Sequence, residues 1–155
     1  MRGCTGWPRP LVASADLAVC SDNASFALPG GKGGLFCHTP SVALSRNVGR
    51  KRALEMALTG DTIDAATALD WGLVNRVAAL EDLEPETLEL LKRATRGSAM
   101  SKGLAKASFY AQIDMDQPKA YAYAVEMMAS ASQTADGQEG MASFLEKRPA
   151  TWQNR

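Results

Sequence analysis

Helical periodicity dominates this chain from Gly49 onward, and little before it reads as strand. Leu54, Ala57 and Leu58 share one face. Ala105, Phe109 and Ile113 recur every four residues. Tyr121, Ala124, Val125 and Met128 mark a third stripe, and Met141, Phe144 and Leu145 a last one. A helix with one apolar face must be covered by something. The strand candidates upstream are residues 16–20 (DLAVC) and 24–28 (ASFAL), separated by the turn-like Ser21-Asp22-Asn23. Two short strands do not make an independently stable sheet. The helical half therefore outweighs the sheet available to it, which points to a piece of a larger domain.

Boundaries follow from breakers and caps. Gly3, Gly6, Pro8 and Pro10 set residues 1–10 apart as an atypical start. Thr39 as N-cap and Pro40 as first helical residue predict a helix to about Val48. Gly60 and Gly72 are expected to end helices, the second running from Asp64 to Trp71. Residues 73–77 read as a short strand, and residues 86–96 as a helix. No internal repeat or linker appears.

The 155 residues carry 17 basic and 17 acidic side chains. Zero net charge argues against a nucleic-acid binder working by phosphate neutralisation. No apolar run approaches the length needed to span a bilayer, so no membrane partner is expected. Cys4, Cys20 and Cys37 form no C-x-x-C pair and are expected as free thiols. The first residues carry a charge without a following apolar core, unlike a secretion signal, so a cytoplasmic protein is expected.

Few short motifs carry chemistry. Residues 30–34 (GGKGG) fail the phosphate-loop pattern because Lys32 precedes Gly33 rather than Ser or Thr. A flexible loop whose backbone passes close to something is the expectation. His38, the only histidine, stands beside Cys37, and adjacent side chains usually diverge, so neither a nucleophilic dyad nor a metal site is expected. Asp61 and Asp64 suit a helix start, and Glu81, Asp82, Glu84 and Glu86 a solvated turn. Lys51-Arg52 and Lys147-Arg148 read as exposed helix ends, with contact to a phosphorylated ligand as the alternative.

Longer segments are more specific. Residues 54–77, LEMALTGDTIDAATALDWGLVNRV, closely resemble a stretch of the crotonase, or enoyl-CoA hydratase/isomerase, superfamily. Residues 136–148, DGQEGMASFLEKR, resemble its C-terminal helix, and residues 11–19 (LVASADLAV) and 25–30 (SFALPG) the surroundings of its catalytic strands. Residues 34–37 (GLFC), followed by Thr39-Pro40, look like one subgroup of that family. The resemblance implies an α/β fold: a partial ClpP/crotonase-like β-β-α spiral with a predominantly helical C-terminal region. On that basis residues 1–10 are the atypical N-terminus, 11–50 a remnant of the spiral core, and 51–155 the helical, oligomerising region. It also implies binding of an acyl-CoA or CoA, no further cofactor, and a homo-oligomer, trimer or hexamer, once the fold is completed.

The family holds the thioester oxygen with two backbone N–H groups, and its hydratases move protons with two glutamates. Carried over by position, the first glutamate falls on Pro10, the associated oxyanion glycine on Trp7, and the second glutamate on Gly30. No catalytic residue is therefore expected to remain, and the chain reads as N-terminally truncated. Lys147 and Phe144 match the CoA-binding side, and Leu35 and Phe36 the acyl pocket. Two readings follow. One is a family member that binds acyl-CoA thioesters without efficient hydratase (lyase) activity. The other is a non-enzymatic oligomerisation module that pairs with complete crotonases.

Overall fold

The computed structural model describes residues 9–155. Expectations resting on Cys4 and Trp7 lie outside the described residues. The chain divides into two compact units, one up to Leu90 and one from Leu91 to Arg155.

In the first unit, α1 (Arg9–Ser14) is followed by β1 (Val19–Ser21) and β2 (Ser25–Ala27), then α2 (His38–Asn47) and α3 (Arg50–Thr59). β3 (Thr62–Asp64), α4 (Ala65–Asp70) and β4 (Arg76–Ala78) complete it. The two candidate strands do form, but they do not pair with each other. β1 runs parallel to β4, with Val19 opposite Arg76 and Ser21 opposite Ala78. β2 runs antiparallel to β3, with Phe26 opposite Ile63. Both partners come from beyond α3, so the strands close loops across the helices. Asn75 strengthens the parallel pair: its Oδ1 accepts the Ala18 N–H at 2.7 Å, and its own N–H donates to Ala18 O at 2.8 Å.

Helix boundaries follow their caps. α3 ends at Gly60, whose φ of 65° is the left-handed conformation expected of a C-terminal stop, and its N–H donates to Met56 O. Asp64 caps α4, accepting the Thr67 N–H at 2.8 Å. Hydrogen bonds from the Thr67 hydroxyl, and then from its N–H, hold the Asp64 carboxyl below its usual range. α2 starts at His38 rather than Pro40. Pro40 then sits in the first turn, where its missing N–H has no intrahelical partner to lose. The strand expected over residues 73–77 is displaced to Arg76–Ala78, because the N–H groups of Leu73 and Val74 are drawn back to Ala68 O.

The core lies between these elements. Phe26, Leu28, Leu44, Val48, Ala53, Met56, Ala57, Ala65, Ala68, Leu73 and Val74 are buried together, with α1 packed on α2 and α2 on α3. The backbone of the glycine run does pass close to its surroundings at Gly30 and Gly31, while Gly33 and Gly34 are uncrowded. Residues Pro29–Lys32 form a single 3₁₀ turn, and a Cβ at Gly31 would overlap the carbonyl oxygens of Ala57 and Leu58 at the end of α3. Lys32 pairs with Asp61 at 2.6 Å, an exposed contact.

α5 (Leu83–Thr95) crosses the boundary into the second unit, which consists of α6 (Ala99–Gln112), α7 (Gln117–Ser132), α8 (Ala135–Glu146) and a C-terminal tail. Each of the three helices has a side-chain N-cap. Ser98 accepts the Ser101 N–H, Asp116 the Lys119 N–H and Thr134 the Gly137 N–H. α6 packs on α7, and α8 on both. Its buried residues are polar: Ser98, Asp136 and Ser143.

Candidate functional site

By the resemblance drawn from the sequence, the family's second glutamate is expected at Gly30. Gly30 lies in the 3₁₀ turn, where a Cβ would collide with Leu35 O and stand 2.5 Å from Cys37 Sγ. The turn as folded leaves no room for a side chain there. Pro10 lies within α1 and Trp7 outside the described residues. Leu35 is 77% exposed. Phe36 instead packs against the core of the first unit and meets the His38 ring edge-on, with centroids 5.1 Å apart. The pocket beside that core, between Phe26, Leu28, Leu44, Met56 and Leu73, holds only about 20 Å³.

Lys147 and Phe144 lie in the second unit. Phe144 is 81% exposed, in the last turn of α8. Lys147 ends that helix in a left-handed conformation, φ 53°. Its N–H donates to Phe144 O, and the Arg148 N–H reaches back to Ser143 O at 3.1 Å. This is a Schellman closure with lysine where glycine is preferred. The conformation costs a residue bearing a Cβ roughly 1–2 kcal/mol. A cation at this end complements the carbonyl end of the helix dipole.

Arg148 fixes the same turn. Its guanidinium grips both carboxylate oxygens of Glu139, at 2.6 and 2.8 Å, and its Nε bonds Glu146. The Arg148 bonds, aided by the Thr151 N–H, pull the Glu139 carboxyl down to about 2. One turn earlier, the buried Asp136 accepts three donors: the Ser98 hydroxyl and the N–H groups of Gln153 and Asn154. Those bonds, the hydroxyl's first, hold its carboxyl below its usual range. Sequence reasoning assigned no role to Ser98, Asp136, Glu139 or Trp152. A cap before α6 was the only local signal; partners 17, 18 and 38 residues away have none. Among the described residues, no group of three or more His, Cys, Asp or Glu is placed to hold a metal ion.

Residues 5–155 match the family described as enoyl-CoA hydratase/isomerase. The chain belongs to that family. It is 47% identical over 142 residues to the mouse enoyl-CoA hydratase domain-containing protein 3, mitochondrial, covering 92% of this chain and 47% of that protein. A crystal structure of an enoyl-CoA hydratase from Mycobacterium smegmatis superposes with a TM-score of 0.89 at 45% identity, covering 92% of this chain and 56% of that one. The human domain-containing protein 3 structure gives 0.88 at 45% identity, with the same coverage. The subgroup likeness of residues 34–40 agrees with these relatives, and so does the partial crotonase fold with its helical C-terminal region. The chain spans about half the length of the curated relatives it matches.

The cytoplasmic expectation is overturned, since the mouse, rat and human relatives are all named mitochondrial. It rested on free thiols and on the lack of a secretory apolar stretch. Those features bear on secretion, and they do not tell one reducing compartment from another.

Proposed function

We propose that this chain binds acyl-CoA thioesters through the end of α8 and does not hydrate them efficiently. The observation that carries the second half is Gly30. Hydration needs a positioned group to move a proton to or from the reacting carbon and its water. Leu35 O, Cys37 Sγ and Cys37 N crowd the place where the Cβ of a glutamate would stand at that position. Proline at position 10 supplies no carboxylate for the other role. Support for binding comes from Lys147: a lysine held in a strained left-handed position ends α8 beside the exposed Phe144. Strain retained at a helix end is a reasoned starting point for a functional role. A phosphate of CoA suits the ammonium, and its adenine suits an exposed ring.

Two measurements test this. Incubating crotonyl-CoA with the purified chain is expected to leave the conjugated absorbance unchanged; protein-dependent loss of that absorbance at an enzyme-like rate overturns the proposal. Calorimetric titration with CoA is expected to show binding that Lys147→Ala weakens about tenfold, the scale of one charge-assisted contact. Binding unchanged by that substitution removes Lys147 from the reading.

One further observation favours the oligomerisation module as a second reading. Tyr121, Val125, Met128, Phe144 and Leu145 are exposed in one unit of the chain. Apolar surface concentrated in this way marks an interaction site. Mixing the chain with a complete family member and separating by size is expected to give mixed species; finding only separate species rejects this reading.

A further inference from the structure

The end of the chain is fastened to the second unit by carboxylates rather than by an apolar core. Asp136 is 2% exposed and lies in the first turn of α8. Its Oδ1 accepts the Gln153 N–H at 2.6 Å; its Oδ2 accepts the Asn154 N–H at 3.0 Å and the Ser98 hydroxyl. Its own N–H donates to Arg155 O at 3.2 Å. Asn154 in turn takes the Ala99 N–H on its Oδ1 at 3.0 Å, joining the tail to the start of α6. Asn154 has a φ of 60°, a left-handed conformation that asparagine tolerates better than most residues. Glu139 accepts the Thr151 N–H at 2.8 Å, so Trp152 stands in the chain between two residues held by carboxylates, and its ring is near enough to α8 that a Cβ on Gly140 would stand 3.8 Å from it. Trp152 walls a groove of about 550 Å³ lined also by Leu104, Met141 and Phe144.

This arrangement is specific to an ionised carboxylate. Two backbone N–H groups and a hydroxyl converge on two oxygens, and all three donate. A protonated or amide side chain would present a donor on the oxygen that takes the Asn154 N–H, which can only donate, and the Ser98 hydroxyl would have to turn to accept. Ser98 has a double role, because its oxygen caps α6 through the Ser101 N–H while its proton goes to Asp136. The nearby charged groups are Glu139, which raises the Asp136 proton affinity, Arg148, which neutralises Glu139, Arg96 and Lys102 along the groove, and Arg155, whose main-chain oxygen accepts the Asp136 N–H and whose Nε donates to Gln153.

We infer that Asp136 is the latch of a C-terminal strap: its ionised carboxylate docks residues 151–155 beside α8 so that Trp152 walls the groove, and neutralising it releases the strap and removes that wall. The sign follows from the bonding. Docking favours the charged form, so the docked carboxyl titrates below an undocked one. Docking is complete above the ordinary carboxylate range and is lost as pH falls through the docked value. Removing the Ser98 hydroxyl brings that loss to higher pH.

Amide hydrogen exchange on the full chain tests the latch directly, with Trp152 emission in a Trp7→Phe, Trp71→Phe background as a second readout. In the parent, the Gln153 and Asn154 amides are expected to be protected at neutral pH and to lose protection on acidification. Asp136→Asn is expected to raise their exchange at neutral pH by about tenfold or more, the range of local opening, and to red-shift Trp152. Ser98→Ala, a smaller change, is expected to keep helical circular dichroism and move the acid step upward. Glu139→Gln is expected to free Thr151 but leave the Gln153 and Asn154 step in place. The latch is overturned if Asp136→Asn folds with both amides as protected as in the parent, or if Ser98→Ala leaves the acid step unmoved. It is also overturned if Glu139→Gln, rather than an Asp136 change, abolishes that step.

Discussion

The two units of this chain bury opposite kinds of residue. Up to Leu90, the interior is apolar: Leu44 of α2, Val48 just beyond it, Ala53, Met56 and Ala57 of α3 and Phe26 of β2 close around one another. From Leu91 onward the buried residues are Ser98, Asp136 and Ser143, while Val125, Met128, Phe144 and Leu145 face out. The same composition of small and aliphatic residues serves both. What differs is the chain's return. Strands β3 and β4 bring distant segments back over the first unit's helices, whereas α6 to α8 follow one another with short connections. Three helices in a row cannot bury all their apolar faces on themselves. Polar capping and carboxylate bonds then set their ends. The first unit is held by burial, and the second by directional bonds.

The largest test of this contrast sets a buried leucine against an exposed one. Leu44→Ala, at a residue 3% exposed, is expected to cost about 2–5 kcal/mol in denaturant titrations. Leu145→Ala, at a residue 79% exposed, is expected to cost less than about 0.5 kcal/mol in dilute protein. Equal losses break the contrast. A Leu145 effect that grows with protein concentration sharpens it, because the exposed face is then an interface.

Glycine substitutions give the next effect, with opposite signs in the two units. Gly31→Ala places a methyl against the α3 carbonyls and is expected to cost about 1–3 kcal/mol. Gly103→Ala, in α6 with open space around it, is expected to stabilise by about 0.5–1 kcal/mol. Thermal melts of the two variants read both.

Acid supplies the smallest effect at neutral pH and the most selective. Glu139 is held at about 2 by Arg148, and Asp136 below its usual range by Ser98. Each favours folding while ionised. That contribution is present above the unfolded carboxylate range, about pH 4, and is lost as pH falls through the folded values. Hydrogen exchange on acidification is expected to rise at the ends of α6 and α8 before it rises in α2 and α3. A single concerted loss contradicts the division into burial and directional bonding.

Much of this is written locally. Gly60 ends a helix because a left-handed residue is needed there, and Asp64 begins one because its carboxylate reaches a backbone N–H three residues on. Periodicity placed the helices of the second half with their apolar stripes, and long matched segments placed the chain in its family. Strand pairing was not legible: residues 16–20 and 24–28 look like neighbours in a hairpin, and each found a partner beyond α3 instead. Of the candidate site, residue types were readable at Gly30 and Lys147. The collision at Gly30 and the left-handed turn at Lys147 were not.

The sequence by itself determined the family and the helix ends at Gly60 and Asp64, since each rests on neighbours a few residues apart or on long matched stretches; it did not determine the face of α3, where Ala53 and Met56 are buried beside Ala57 while Leu54 and Leu58 are exposed, or the α2 cap, which is Cys37 and not Thr39. Only the tertiary structure decided which strands pair, that the glycine run packs against α3, and that Asp136 gathers donors from Ser98, Gln153 and Asn154. Those outcomes depend on chain segments 17 to 57 residues apart meeting in space. Such meetings are governed by loop closure and by the need to pair every buried polar group, and neither leaves a periodic mark in the sequence.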